Sequence, residues 1–120
     1  MQGALRDTDL GEFLLWLLRR RYRYRVSGSS MLPMLQPGDE VLVDKRAYRK
    51  TGPQPGDLVV ARHPYQKDVR LVKQVVSVDG DGRCQLEGTN PLGVIESSDS
   101  RAFGPVSPEK IIGRVTSRFA

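Results

Sequence analysis

The stretch from Val69 to Val78 constrains the fold most, because its side chains alternate as they do in a strand. The following Asp79-Gly80-Asp81-Gly82 is typical of a tight turn, and Arg83 to Glu87 returns as a partner strand. An antiparallel hairpin is therefore predicted. Its alternation places two sets of side chains on opposite faces: Val69, Leu71, Lys73, Val75 and Ser77 on one, and Arg70, Val72, Gln74, Val76 and Val78 on the other.

A short internal repeat predicts two more strands. The segments Pro37 to Val43 and Pro55 to Val60 each begin with Pro-Gly-Asp and continue into a β-rich run. Residues 110–119 form a last strand, and no helical periodicity follows residue 20. The 12 Gly and 8 Pro indicate many turns and short strands. The predicted fold is mainly β, a small curved antiparallel sheet with one N-terminal helix.

The N-terminal segment supplies that helix. Asp7, Thr8 and Asp9 offer N-caps, and Leu10 to Arg20 is rich in helix formers with a basic end. Because Phe13 to Leu18 is apolar nearly all round, the helix either docks on the sheet or makes peripheral contact with a membrane or partner. The basic stretch Arg19 to Arg25 predicts a solvated edge strand in preference to a nucleic-acid patch.

Length and composition limit the function classes. A 120-residue chain forms one domain, and its net charge of +5 is modest for a nucleic-acid binder. Cys84 is the only cysteine, which excludes an internal disulfide and fits a reducing compartment. The apolar run Phe13 to Leu18 is far shorter than the ~20 residues of a membrane span, and it makes a poor signal peptide. We therefore expect a cytoplasmic protein that does not bind nucleic acid.

The segment from Val26 to Leu35 predicts a constrained loop that presents a serine beside an apolar wall. Three serines surround Gly28, and an apolar run containing Pro33 follows, a composition that suits neither a strand nor a helix interior. We take Ser30 as the candidate nucleophile. One histidine and one cysteine cannot supply a zinc site, so neither a metal nor another cofactor is expected.

A nucleophilic serine needs a base, and two residue types could supply it. His63 precedes Pro64 at a strand end, which is more typical of a turn than of a catalytic triad. A lysine, with an ordinary pKa of ~10.4, becomes a base only where burial lowers that pKa. Lys73 alone has apolar neighbours and is the candidate base, although it could also be an exposed lysine on a sheet face. The lysines in polar stretches are Lys45, Lys50, Lys67 and Lys110.

Four segments, in the same order, resemble the sequence boxes of type I signal peptidases. Ser30-Met31-Leu32-Pro33 resembles their nucleophile box, and Arg70 to Val76 resembles their lysine box. Gly88-Thr89-Asn90 is similar to their Gly-Asp-Asn turn, and Ser97 to Val106 is similar to their Ser-x-Asp-Ser-Arg-x-x-Gly-x-Val box. The resemblance implies a serine endopeptidase with Ser30 as nucleophile and Lys73 as general base.

The resemblance also implies supporting roles. The oxyanion would be bound by the backbone N–H of Ser30 and by a second donor near Gly28, from the main chain or from the hydroxyl of Ser29 or Ser27. Ser97 would orient the lysine, and Asp99 and Arg101 would form an ion pair beneath the site. Three positions depart from the family pattern: Met34, Gln74 and Thr89.

The chain as a whole resembles one branch of this signal peptidase-like family, the maturation proteases of nickel-type superoxide dismutase. The similarity includes Pro55 to Tyr65, which corresponds to their second strand and its exit. It implies a single domain with the signal peptidase/LexA-like fold, in which residues 26–120 form the Ser/Lys peptidase part and residues 1–25 the helix and basic edge. The implied partner is a dismutase precursor, whose leader is removed so that the new N-terminus can bind nickel.

Three alternatives remain open at this point. The chain could be another signal peptidase-like processing protease or a self-cleaving protein of the LexA type, although 25 residues before the serine box are too few for a helix-turn-helix domain. It could also be a non-catalytic β module that binds protein or nucleic acid through Arg19 to Arg25. The absence of a membrane anchor and of an inserted second domain argues against general secretory processing.

Overall fold

The computed structural model describes residues 5–26, 31, 34–66, 69–88 and 103–119. Within these residues, one α-helix and six strands follow each other, and a 3-10 helix at Pro108–Lys110 leads into the last strand. Every paired strand is antiparallel to its neighbour, in the order β1-β2-β6-β3-β4-β5. The mainly β prediction is confirmed. The elements are α1 (Leu10–Leu17), β1 (Tyr22–Arg25), β2 (Glu40–Asp44), β3 (Leu58–Arg62), β4 (Arg70–Val78), β5 (Cys84–Glu87) and β6 (Ile111–Phe119).

The sheet is strongly curved. The hydroxyl of Tyr24 on β1 donates to the carbonyl of Arg70 at the start of β4 at 3.3 Å, although three strands lie between them. Two irregularities in pairing assist the bend, one between Leu42 and Val43 and one between Val60 and Ala61. β1 lies at the edge of the sheet, as the basic alternating stretch predicts, and joins the N-terminal segment to the same sheet as the rest.

The hairpin of β4 and β5 forms as predicted at one end of the sheet, with one correction. The side chain of Asp79 accepts from the amide of Arg83 at 2.9 Å, which stabilises the turn between β4 and β5. The pairing of β4 with β5 shifts between Val75 and Ser77, so an extra residue lies in the strand there. The predicted alternation therefore holds as far as Val75, and Val76 beyond it is exposed.

Two buried clusters lie on the two faces of the sheet, because adjacent residues of β3 belong to different clusters. Val60 belongs to the first and Val59 to the second. The first contains Val26, Met31, Leu35, Val41, Val43, Leu58, Val60, Val72 and Val115. The second contains Val59, Ala61, Val75, Cys84, Leu86 and Val106.

Helix α1 begins where the sequence predicts and ends earlier. The side chain of Asp9 accepts from the amide of Glu12 at 2.8 Å and caps the first turn. The helix ends at Leu17 rather than at Arg20, because the amides of Arg19 and Arg20 turn back to the carbonyls of Trp16 and Leu15. No helix in the described part of the chain is long and apolar enough to cross a membrane.

Candidate active site

Lys73 lies in the middle of β4 and is buried, with 1% of its surface exposed. Its partner across the ladder is Val59 on β3, and the pleat places Leu71 and Val75 on the same face as the lysine. All three of these apolar residues are buried. The expected burial of Lys73 in apolar surroundings is therefore observed, and the alternative of an exposed lysine on a sheet face does not hold.

The repeated Pro-Gly-Asp segments form two equivalent turns. In one turn the side chain of Asp39 accepts from the amide of Gln36 at 2.9 Å, and in the other Asp57 accepts from Gln54 at 3.1 Å. Both turns need a residue with positive φ, and their glycines supply it with φ of 92° and 96°. Because strands β2 and β3 begin directly after them, the turns set where these strands start.

Each turn also makes a two-bond bridge to a segment of the candidate site. The amide of Gly38 donates to the carbonyl of Val26 at 2.8 Å, and the amide of Val26 donates to Asp39 at 2.7 Å. The amide of Gly56 donates to the carbonyl of Val75 at 2.7 Å, and the amide of Val75 donates to the carbonyl of the aspartate in the second turn at 2.8 Å. The first bridge fixes the entry to the serine loop, and the second fixes β4 just beyond the lysine.

The residues adjacent to the candidate pair pack in one core. Met31 follows Ser30 in the chain and Val72 precedes Lys73, and both belong to the first buried cluster. The amide of Leu35 donates to the carbonyl of Met31 at 2.8 Å. Since neighbouring residues of a strand point to opposite faces, this cluster fixes the backbone next to Lys73 and does not contain the lysine side chain.

All the predicted site residues other than Lys73 lie outside the described part of the chain. This applies to the candidate nucleophile Ser30 and to all five supporting residues. Of the candidate site, the structure therefore describes Lys73 and two residues that flank the serines, Val26 and Met31. The predicted site residues that lie outside the described ranges are Gly28, Ser29, Ser30, Ser97, Asp99 and Arg101.

The described end of the fourth box lies beside β5. Gly104 adopts φ of 84°, and the amide and carbonyl of Val106 bond to the carbonyl and amide of Cys84, each at 2.8 Å. Because β5 pairs with β4, this end of the box is tied to the neighbour of the lysine strand. Cys84 is itself buried, and burial raises the pKa of its thiol.

His63 has the structural role that its sequence context predicts. Its Nδ1 accepts from the amides of Tyr65 and Gln66, each at 3.0 Å, and its ring lies 4.9 Å from that of Phe103. Partial burial lowers the pKa of His63, so its neutral form, which can accept both bonds, is favoured. No group of three potential metal ligands occurs among the residues that the structure describes.

Tyr48 stabilises the Pro-Gly-Asp turn that bonds to the lysine strand. The hydroxyl of Tyr48 donates to the carboxylate of Asp57 at 2.7 Å. Burial is the main reason that the pKa of Tyr48 is raised, and this hydrogen bond raises it further. The side chain thus fixes the aspartate whose backbone carbonyl accepts from Val75.

Sequence reasoning missed the network that attaches α1. Glu12 is 2% exposed and accepts from the side chains of Arg21 at 3.1 Å and Ser117 at 3.1 Å, and also from Thr116. Arg6 lies 3.7 Å away and adds a second cation. One sequence signal for this network was available, namely a glutamate within an apolar helix. A glutamate in such a position is buried only when it is paired, so it indicates a partner elsewhere in the chain.

The chain matches the family model described as "Signal peptidase, peptidase S26" over residues 14–88. It is 31% identical to human mitochondrial inner membrane protease subunit 1 over 108 residues, which cover 74% of this chain and 63% of the relative. The zebrafish subunit 2 is 31% identical over 119 residues, or 82% of this chain and 63% of the relative. Signal peptidase I of Aquifex aeolicus is 34% identical over 58 residues, or 48% of this chain and 23% of the relative.

The family match includes both the serine box and the lysine box. The family match spans the serine loop, the repeated turns and the lysine strand. The chain spans less than two thirds of the length of each of these three relatives. Its curved antiparallel sheet is consistent with a signal peptidase-like fold. The chain belongs to the signal peptidase family, peptidase S26.

Proposed function

We propose that this chain is a serine endopeptidase in which Ser30 is the nucleophile and Lys73 the general base. The observation that carries the proposal is the position of Lys73, 1% exposed in the middle of β4. Membership of the peptidase S26 family supports the same class of activity.

Burial is what makes Lys73 suitable as a base. An ammonium has no lone pair to accept a proton, and transfer into apolar surroundings disfavours its charged form. Val59 opposite it and Val75 beside it on the same face provide such surroundings. An arginine could not serve in its place, because a guanidinium stays protonated in proteins.

The proposed reaction has two stages. Neutral Lys73 takes the proton from the Ser30 hydroxyl as its oxygen attacks the substrate carbonyl. The resulting lysine ammonium returns this proton to the leaving amine as the peptide bond breaks, which leaves an acyl-enzyme. Lys73 then removes a proton from water, whose oxygen attacks the ester and releases the acid product.

The supporting residues predicted from the sequence have the following roles in the proposed reaction. The backbone N–H of Ser30 would donate to the oxyanion, with Gly28 or Ser29 near the second donor. Ser97 would orient the lysine amine. The ion pair of Asp99 and Arg101 would hold this segment beneath the site.

The proposed substrate is a protein precursor with a short N-terminal leader, namely that of nickel-type superoxide dismutase, in the cytoplasm. This assignment is supported by the sequence resemblance, including Pro55 to Tyr65. The relatives reported above are inner membrane proteases and a signal peptidase, so their names do not support it. No cofactor is required for the proposed reaction.

The test is co-expression with a nickel superoxide dismutase precursor, followed by intact-mass analysis of the precursor. We expect the wild type to remove the leader, and Ser30→Ala and Lys73→Arg to leave it in place. Ser77→Ala and Lys50→Arg, which alter exposed residues of the same types, are the matched controls and should process normally. An unchanged precursor with the wild type would remove the dismutase assignment and leave the Ser/Lys chemistry to be tested separately.

A further inference from the structure

A basic pocket lies at the end of the β3–β4 ladder. Its volume is about 520 Å³, and its lining includes the last registered pair of this ladder, Arg62 and Arg70. Ala61 pairs with Ile111 at the start of β6, and Lys110, which precedes Ile111, also lines the pocket. None of the described residues that line it is acidic. Three cations from three neighbouring strands therefore share one cavity.

The three cations have no counter-charge in the described part of the chain, because none of them forms an ion pair there. Arg62 and Arg70 are direct partners on an antiparallel ladder. Side chains at such positions lie close together, and like charges there destabilise the sheet. A role in folding would favour opposite charges at these two positions. The arrangement instead favours an anion that binds the folded chain.

The turn after β3 fixes one wall of the pocket. Nδ1 of His63 accepts from the amides of Tyr65 and Gln66, each at 3.0 Å, and all three residues line the cavity. These bonds order the wall before a ligand binds, which lowers the entropic cost of binding. Tyr65 is 77% exposed, so its ring adds an accessible aromatic surface to the cationic lining.

We propose that this pocket binds acidic side chains of the polypeptide substrate, so that Arg62 and Arg70 select substrates with Asp or Glu on one side of the cleavage site. The proposal rests on the proposed function, since it concerns the substrate of the same enzyme. A guanidinium binds a carboxylate through two parallel hydrogen bonds, which suits both arginines to this role.

The position of the pocket on the lysine strand supports this assignment. Arg70 lies three residues before Lys73 on β4, about 10 Å along the strand. An extended substrate advances by a similar distance per residue. A substrate that runs along β4 therefore brings a residue about three or four positions from the scissile bond to the pocket.

Family and shape select a polypeptide among the possible anions. A member of a peptidase family binds polypeptide, and Asp and Glu side chains are the anions that a polypeptide carries. A nucleic acid follows a row of phosphates and needs cations spread over a surface rather than gathered in one recess. A free phosphate ion is far smaller than this cavity, which has the size of a site for a larger ligand.

The first test is fluorescence anisotropy with a labelled peptide of alternating Glu and Ala, and with the same peptide carrying Gln in place of every Glu. We expect the Glu peptide to bind, more weakly as salt increases, and the Gln peptide to bind little. Arg62→Gln/Arg70→Gln should weaken binding of the Glu peptide by about fivefold to thirtyfold. Lys50→Gln/Arg83→Gln is the matched control, because it removes the same charge from exposed residues outside the pocket, and it should bind within about twofold of the wild type.

The same pocket variant separates binding from folding. Because the two arginines repel each other across the ladder, Arg62→Gln/Arg70→Gln should have a urea midpoint equal to or above that of the wild type. A lower midpoint with unchanged binding of the Glu peptide would assign the pair to the fold and overturn the proposal.

Cleavage of a defined peptide library separates this proposal from the proposed function. The wild type should favour peptides with Asp or Glu near the cleaved bond, and Arg62→Gln/Arg70→Gln should lose that preference while it still cleaves neutral peptides. Binding of the Glu peptide without any cleavage would contradict the proposed Ser/Lys chemistry and support the acidic-peptide site. Equal binding of the Glu and Gln peptides, or binding of an oligonucleotide in place of the Glu peptide, would overturn the proposal.

Discussion

Val26 and Val75 each make two backbone hydrogen bonds to a Pro-Gly-Asp turn, and the two pairs of bonds are equivalent. Val26 precedes the serine loop, and Val75 follows Lys73 by two residues on β4. The internal repeat is therefore a repeated anchor, with one copy for each candidate catalytic segment. This construction accounts for two similar sequences at places that look unrelated along the chain.

The two turns give the first prediction. Gly38→Ala and Gly56→Ala should each lower the free energy of unfolding by about 1–2 kcal/mol, because alanine is strained at φ near 90°. Urea unfolding followed by the fluorescence of the single tryptophan, Trp16, measures the effect. Gly52→Ala is the control, since an added Cβ there meets no atom within 4 Å. An unchanged midpoint in both turn variants would contradict the role assigned to these glycines.

The contact between β2 and β6 gives the second prediction. A Cβ on Gly113 would lie 2.6 Å from the backbone oxygen of Asp44 and 2.8 Å from Cγ1 of Val43. Because backbone cannot yield as a side chain does, Gly113→Ala should cost about 3 kcal/mol or more. The same unfolding assay measures it. A cost no larger than that of Gly52→Ala would mean that the two strands are not packed this closely.

The attachment of α1 gives the third prediction. Glu12→Ala should lower the free energy of unfolding by about 3 kcal/mol, because Arg21 loses a buried partner. Asp9→Ala on the same helix removes an N-cap and an exposed ion pair with Arg6, and should cost about 1 kcal/mol. The double variant Glu12→Ala/Arg21→Ala should cost less than the sum of the two single variants. Additive costs would show that the two side chains do not interact.

Tyr48 gives a prediction for pH dependence. Its folded-state pKa is raised above the ordinary value of about 10, so its stabilising contribution is fully present below pH 10 and is lost as the pH rises towards the folded-state value. The free energy of unfolding should therefore fall above about pH 10. Tyr48→Phe should be less stable than the wild type at neutral pH and should lose stability less steeply in alkali. Equal alkaline slopes would contradict the assignment.

His63 distinguishes the proposed lysine mechanism from a histidine one. Nδ1 of His63 accepts two backbone amides in the turn after β3, so Nε2 carries the proton of the neutral ring and neither nitrogen has a free lone pair to act as a base. His63→Ala should therefore retain peptide cleavage, with a lower urea midpoint from the two lost hydrogen bonds. Cleavage abolished in a variant that still folds would favour a Ser/His mechanism.

The strands were predictable where one physical signal dominated. Alternation identified β4, and the Pro-Gly-Asp repeat identified the starts of β2 and β3. The shift in strand pairing after Val75 was not predictable. A bulge depends on how β4 pairs with β5 and not on the residues of β4 alone. The burial of Lys73 followed from its apolar neighbours, which pack on both faces of the sheet.

The orientation of α1 could not be predicted from periodicity. An apolar helix face ordinarily packs on the core, which favoured docking through Phe13 to Leu18. The helix instead buries Glu12, and its cation Arg21 and hydroxyl partner Ser117 lie far apart in the sequence. The glutamate in an apolar helix is a local signal that it is paired, but the identity of its distant partners leaves no local pattern and is seen only in the three-dimensional structure.

The central claim is that Ser30 and Lys73 cleave peptide bonds together. The most direct measurement is mass spectrometry of a defined peptide library after incubation with the wild type, Ser30→Ala, Lys73→Arg or Lys50→Arg. The account predicts new peptide termini with the wild type and Lys50→Arg, and none above background with the other two. Their rate of appearance should fall as acid protonates Lys73. Cleavage by folded Ser30→Ala or Lys73→Arg at the wild-type rate would contradict it.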